Sequence, residues 1–141
     1  MQEPLTEDLL MQLLDALSVG EFFDEVDTST QSMTEYLNCL LEEKALSRPE
    51  VVRMAGLNPT YGYQIFMGER KPSRDKLLAL GFAMGLSLKQ FNRLLRLGGV
   101  NELYCKNRRD AIIIFCLTHE YDLQKTEEEL YRFGEETISA G

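Results

Sequence analysis

Histidine and cysteine are scarce in this 141-residue chain, and their scarcity argues against several kinds of chemistry. The single histidine, His119, lies beside Glu120, with no nucleophile, phosphate-binding loop or metal-ligating cluster near it in the sequence. A helix-end side chain that interacts with terminal carbonyls is the simpler interpretation. The three cysteines, Cys39, Cys105 and Cys116, are odd in number and lack paired ligand spacing. We therefore expect no enzyme activity, no cofactor, no disulfide framework and no zinc site.

Long apolar runs are missing as well. No segment approaches the roughly 18 to 20 uninterrupted apolar residues that a membrane span needs. Residues 1–33 contain no Lys or Arg, so the basic lead of a secretory signal peptide is absent. We expect a soluble, cytoplasmic protein with no membrane partner and with reduced, mostly buried thiols.

Basic residues are unevenly distributed in a chain whose formal net charge is -8. Residues 1–33 hold eight acidic and no basic side chains, and residues 101–141 hold nine acidic against five basic ones. Residues 34–100 reverse the balance, with ten basic against six acidic side chains. Four cations, Arg70, Lys71, Arg74 and Lys76, fall in one short stretch where a loop can set them beside phosphates. The alternative for such a charge run is an ordinary solvated loop.

Helical signals cover almost the whole chain, and no convincing strand is present. Caps followed by apolar stripes of helical period predict helices over 34–44, 47–55, 58–67, 73–84 and 87–97. Ser47-Arg48-Pro49-Glu50 is a capping box with an early proline, and Asn58-Pro59 repeats the start signal just after Gly56. Two helices joined by so short a turn must cross steeply. These start and stop signals predict a helix-turn-helix of the kind that binds DNA.

The flanking segments predict three further helices. Residues 5–17 carry a leucine stripe that needs a partner surface, and residues 20–32 form an acidic linker or an irregular docked arm. After an extended connection at 100–106, helices over 107–119 and 126–136 form a hairpin, with Tyr121-Asp122 at its turn. The apolar run at 112–115 also fits a buried strand, but the charged residues before it favour a helix. The predicted division is therefore 1–33, 34–98 and 99–141.

Residues 40–88 resemble, without a gap, the phage-repressor-like or Xre-type helix-turn-helix family, to which Cro and lambda repressor belong. EEKALS at 42–47 resembles the end of the family's first helix and its turn, and GLN at 56–58 resembles the turn between the paired helices. The most specific piece is GERKPS at 68–73, and ALGFAMGLSL at 79–88 closes the match. The resemblance implies an all-α fold, with a five-helix lambda-repressor-like core, an N-terminal helix with its acidic arm, and a C-terminal helical hairpin.

The resemblance further implies a sequence-specific, DNA-binding transcriptional regulator. The helix at 58–67 would enter the major groove of double-stranded DNA with its N-terminal residues toward the bases. Thr60, Tyr61 and Gln64 are the candidates for base edges, because Gln can pair with adenine and a Thr methyl can touch thymine. Arg48 would hold a phosphate or a guanine. The other candidate DNA-binding residues, at the cap of the reading helix and on the DNA backbone, are Asn58, Tyr63, Arg70, Lys71 and Arg74.

Three departures from the family pattern make direct base readout less secure than DNA affinity. Gly62 stands where the family buries Ile or Val. A glycine inside a helix lowers its stability by on the order of 1 kcal/mol relative to Ala. It also leaves volume for Tyr61, Tyr63 or Phe66 to fill. Phe66 replaces a frequent Glu, and Val52 replaces a small Ala between the paired helices. The alternative function is a protein-interaction module, antitoxin-like or partner-regulating, without sequence-specific DNA binding.

Such a domain reads only a short half-site, so we expect a homodimer. The helix at 5–17 or the C-terminal hairpin would contact the second copy or a protein partner. The alternative is that these helices pack on their own core. The acidic residues 1–33 also suggest the hypothesis that this arm covers the basic surface and weakens nonspecific DNA binding. A chain that begins at Ser32 would then bind DNA more tightly, and unchanged affinity would reject the hypothesis.

Overall fold

A computed structural model describes residues 31–139, and every regular element within that range is an α-helix. The helices are α1 (Met33–Glu43), α2 (Arg48–Met54), α3 (Pro59–Phe66), α4 (Arg74–Met84), α5 (Leu88–Leu97), α6 (Arg108–Thr118) and α7 (Leu123–Arg132). The prediction of an all-α fold is confirmed for this range. The predicted helix at 5–17 and nearly all of the predicted linker lie outside the described residues. None of the described helices has the length and apolar character that crossing a bilayer requires.

Side-chain caps determine where the helices begin. The capping box at Ser87 forms in full, because its hydroxyl accepts from the Gln90 N–H while the Gln90 side chain accepts from the Ser87 N–H. Half of the box predicted at Ser47 is present: Ser47 accepts from the Glu50 N–H at 3.3 Å, while the Glu50 carboxylate lies 3.9 Å from Arg53. Each cap satisfies an N–H group that has no partner within its own helix. The remaining described caps are Ser32, Asn58, Ser73, Asn107 and Asp122.

Helix α4 lies at the centre of the hydrophobic core. Every residue from Leu77 to Met84 is buried, and the helix packs against α2, α5 and α7. A helix that is apolar on all sides needs neighbours on all sides. The largest of the almost fully enclosed side chains come from both the first five helices and the last two: Leu37, Leu40, Ile65, Phe66, Leu77, Leu78, Leu80, Phe91, Leu94, Leu95, Ile113 and Leu130.

Two crossed salt bridges hold the α6–α7 hairpin against α4. Arg74 and Asp75 open α4, and Arg109 and Asp110 lie in the first turn of α6. The Arg74 guanidinium donates to both carboxylate oxygens of Asp110, at 3.0 and 2.8 Å. The Arg109 guanidinium donates to Asp75 at 3.0 Å. Charge-assisted hydrogen bonds of this kind are roughly twice as strong as neutral ones. The two pairs therefore fix the start of α6 to the start of α4.

The same arginines also hold the irregular segments on either side of the hairpin. Arg74 donates to the carbonyls of Asn101 and Glu102, at 2.9 and 3.2 Å. Arg109 donates to the carbonyls of Glu136 and Thr137, at 2.9 and 3.3 Å. Residues 32–139 consequently pack as one compact unit, and the predicted boundary between residues 98 and 99 is bridged by direct contacts.

The boundaries of α7 differ from those predicted. The helix begins at Leu123 rather than at residue 126, because Asp122 is its cap and accepts from the Lys125 N–H at 2.8 Å. It ends at Arg132 rather than at residue 136, because Gly134 takes a left-handed conformation with φ 75°. Residues 112–115 belong to helix α6, which excludes the alternative of a strand there.

Candidate nucleic-acid interface

Helices α2 and α3 are joined by a short turn at residues 55–58, where the sequence predicted one at 56–58. Gly56 in this turn has a left-handed conformation with φ 72°. The side-chain oxygen of Asn58 accepts from the N–H groups of Thr60 and Tyr61, at 2.9 and 3.2 Å. The inner face of α3 buries Ile65 and Phe66 against α1 and α2. Its outer face is open, because Thr60 is exposed and Tyr63 is 45% exposed.

The two helices approach each other closely at Gly62. A Cβ atom at this position would overlap the methyl groups of Val52 on α2. The prediction that Tyr61, Tyr63 or Phe66 fills the space beside Gly62 is therefore wrong, because Val52 fills it. The larger residue on α2 and the missing side chain on α3 compensate for each other.

Arg48 and Tyr63 form the first polar pair on this surface. Arg48 is the first residue of α2, and its guanidinium carbon lies 4.7 Å from the centroid of the Tyr63 ring on α3. This geometry is that of a cation–π contact. The structure thus brings together two residues that the sequence predicted separately. It holds the arginine beside the exposed face of α3.

Gln64 and Arg70 form the second pair. The Arg70 Nε–H donates to the Gln64 side-chain oxygen at 3.2 Å. Gln64 is half-buried on α3, whereas Arg70 is exposed in the loop that follows it. The hydrogen bond restricts how the glutamine amide can turn. It also places a guanidinium at the C-terminal end of the exposed face.

Lys71 lies beside the turn that follows α5. Its ammonium nitrogen is 3.3 Å from the position that a Cβ atom would take on Gly99, whose φ is 74°. The Lys71 residue itself is exposed. Arg48, Arg70 and Lys71 are thus three cations around α3, two of them in the loop at its C-terminal end.

Arg74 is placed differently from the other predicted site residues. Four of its hydrogen bonds go to Asp110 and to the carbonyls of Asn101 and Glu102. A guanidinium has five N–H donors in one plane, so this arrangement uses most of them. The geometry favours a structural role, and we leave Arg74 out of the DNA contacts proposed below.

The crossed salt bridges were missed by sequence reasoning. Their only signal is the repeated Arg-Asp dipeptide, at 74–75 in α4 and at 109–110 in α6. The sequence of one helix does not show that its Arg-Asp dipeptide pairs with the dipeptide of the other helix. For metals, the described part of the chain contains no group of three or more His, Cys, Asp or Glu residues arranged to hold an ion.

Family models, curated proteins and solved structures all give no match to this chain. We therefore infer function from the chemistry of the α3 surface together with the motif resemblance at residues 40–88.

Proposed function

We propose that the chain is a sequence-specific transcriptional regulator that binds double-stranded DNA through a phage-repressor-like helix-turn-helix. Helices α1 to α5 would be its lambda-repressor-like core, and α3 would enter the major groove. The observation that carries the proposal is the exposed outer face of α3 with cations on its flanks, Arg48 on α2 and Arg70 and Lys71 in the following loop. A single helix fits the major groove, and cations on either side of it meet the phosphates that border the groove.

The residues on this surface take two roles in this proposal. Lys71 would neutralise a phosphate, which gives affinity without sequence preference, and Arg48 and Arg70 would lie within reach of both phosphates and base edges. Thr60, Tyr61 and Gln64 would lie nearest the base edges, with Asn58 holding the start of the helix in shape. Because the phosphate contacts release counterions, we expect affinity for any duplex to fall as salt rises.

The test is a salt titration of duplex binding with the full chain and with Lys71→Gln. Losing one phosphate contact should weaken binding to all duplexes and reduce the slope of log affinity against log salt by about one. Lys106→Gln is the matched control, because it removes one positive charge from an exposed position in the connection between α5 and α6, which is not part of the α3 surface. Salt-independent binding, or equal effects of the two variants, would contradict the proposal.

A second candidate function is a protein-interaction module, and one observation favours it. An apolar groove between α2 and α3 is lined in part by Pro49, Leu57 and Pro59. Two large apolar side chains, Met54 and Met67, are also about half exposed, at 51% and 50%. An interaction module would bind its partner without salt-sensitive affinity for DNA. The same titration therefore separates the two functions.

We also propose that the chain acts as a homodimer, because one reading helix covers only a half-site. The hairpin offers exposed aromatic side chains, Phe115, Tyr131 and Phe133, that a second copy or a protein partner would cover. Sedimentation equilibrium with and without a two-half-site duplex tests this, and a 1:1 complex at saturation would reject it.

A further inference from the structure

We infer that the α3 surface recognises guanine. Gln64 and Arg48 are each held in a conformation that presents N–H donors to a base edge. This inference depends on the proposed DNA-binding function and specifies the bases read by the same site. It differs from the adenine pairing that a glutamine on a reading helix ordinarily suggests.

Gln64 provides the first step. A glutamine reads adenine by accepting from the N6 amino group and donating to N7. Here the Gln64 side-chain oxygen already accepts from the Arg70 Nε–H at 3.2 Å. The second lone pair of this oxygen lies beside a guanidinium cation, which disfavours the approach of the hydrogens on adenine N6. The amide NH2 of Gln64 and the outer N–H groups of Arg70 remain as donors.

Arg48 provides the second step. Its guanidinium lies over the Tyr63 ring, with 4.7 Å between the guanidinium carbon and the ring centroid. A guanidinium carries five N–H donors, and a contact with the face of one ring leaves donors available. The contact also restricts the rotamers of a long side chain, which lowers the entropy lost when it binds. Arg48 is therefore oriented in advance for a planar, bidentate acceptor.

Guanine is the base that matches these donors. Its major-groove edge presents two acceptors, O6 and N7, whereas adenine and cytosine each present an amino donor there. A carboxylate would reverse the preference, but Glu50 at the start of α2 lies 3.9 Å from Arg53. Glu69 lies beyond the end of α3, next to Arg70 and Lys71. We expect at least two guanines in each half-site, one read by Arg48 and one by Gln64 with Arg70.

The first experiment uses the full chain to select duplexes from a random pool, followed by base analogues in the selected site. Replacing a contacted guanine by adenine should lower affinity roughly 5- to 150-fold, the range of one bidentate base contact. Replacing it by 7-deazaguanine, which lacks N7, should also lower affinity. Inosine should bind like guanine, because it keeps O6 and N7 and lacks only the minor-groove amino group.

Protein variants then assign each guanine to its reader. Tyr63→Leu should weaken the preference for guanine at the Arg48 position, whereas Tyr63→Phe should keep it because the ring remains under the guanidinium. Gln64→Glu should shift the preference at its position from guanine toward cytosine, because a carboxylate accepts from the cytosine amino group. Circular dichroism of each variant checks that the helices are retained.

The outcomes separate this inference from the function on which it depends. Salt-sensitive, sequence-specific binding that ignores 7-deazaguanine, or that selects sites without guanine, overturns the inference and leaves the proposed function standing. Equal preferences in Tyr63→Leu and Tyr63→Phe overturn the part assigned to Arg48. If no duplex binds in a salt-sensitive way, the proposed function itself is overturned.

Discussion

Val52 and Gly62 adjust α2 and α3 to each other as a pair of residues. Each position departs from the resembled family's pattern, and in the structure the extra methyl groups on α2 occupy the space that a side chain on α3 would take. The sequence predicted free volume beside Gly62 but assigned it to the wrong residues, Tyr61, Tyr63 or Phe66. Ten positions separate the two residues, so their contact depends on how the helices pack rather than on any local pattern.

We predict that Gly62→Ala lowers the free energy of unfolding by about 1 to 3 kcal/mol, because the new methyl group overpacks against Val52. Adding Val52→Ala should recover most of this loss, since the smaller residue on α2 makes room for the new methyl group. Urea denaturation of the two single variants and the double variant measures the coupling. Additive effects of the two substitutions would contradict the contact.

The cysteines give a second prediction at this scale. Burial raises the pKa of the Cys116 thiol above its ordinary value of 9.0, although a hydrogen bond with Thr126 opposes the shift. Cys39 and Cys105 are exposed, so the expectation of mostly buried thiols is wrong for two of the three cysteines. A thiol reagent should therefore modify two thiols of the native protein quickly and the third only on unfolding.

The same shift has a consequence for stability. A thiol whose pKa is higher in the folded than in the unfolded state contributes stability below the unfolded value, and this contribution is lost as pH rises through the folded value. We expect unfolding free energy to decline above about pH 9 and the decline to be smaller in Cys116→Ala. An identical pH dependence in the two proteins would exclude Cys116 as its source.

At the scale of elements, the sequence predicted the helices well and their docking poorly. Caps at Ser47, Asn58, Ser73, Ser87 and Asn107 mark helix starts because capping is a local interaction between neighbours in the chain. The end of α7 was misplaced because the stop at Gly134 was taken as part of the helix. The salt bridges of Arg74 and Arg109 join residues 36 and 34 positions apart, a separation over which no local pattern operates.

For the candidate site, too, the sequence identified residues but not their contacts with one another. The sequence selected Arg48, Tyr63, Gln64 and Arg70 individually, by their residue types and by their positions relative to two predicted helices. It did not predict that they pair as Arg48 with Tyr63 and as Gln64 with Arg70. Both pairings depend on side-chain conformations that packing determines. For Arg74, composition indicated a cation available to DNA, while the partner that engages it lies on another helix.

We predict that Asp110→Asn destabilises the protein by roughly 3 to 5 kcal/mol, because it leaves the largely shielded Arg74 guanidinium without its counter-charge. The Asp110 side chain is only 7% exposed, so solvent screens this pair weakly. Arg53→Gln is the control, because its pair with Glu50 is well exposed and should contribute little. Thermal and urea unfolding measure both variants, and similar stabilities would contradict the structural role of the crossed bridges.

On the scale of the whole molecule, the hairpin completes the core. Helix α6 packs on α5 and α7 packs on α4, and Ile113 and Leu130 are fully enclosed. Removing these helices would expose apolar surface on α4 and α5 and leave Arg74 without its carboxylate partner. Residues 32–139 should therefore unfold together.

We predict a single cooperative urea transition for the full chain over this range, and loss of that transition in a chain that ends at Gly99. Circular dichroism at 222 nm and fluorescence of the six tyrosines should report the same midpoint for the full chain. A shortened chain that keeps this midpoint would show that the first five helices are stable alone.

The bidentate grip of Arg74 on Asp110 has a mechanical consequence. Arg74 follows Lys71 after only two intervening residues, one of which is the buried Pro72. The start of α6 is thus fixed close to the loop that carries Arg70 and Lys71. A partner that tilts α6 would move Asp110 and Arg74 together, and this movement would shift Arg70 and Lys71. Binding at the hairpin would therefore change the position of these two cations.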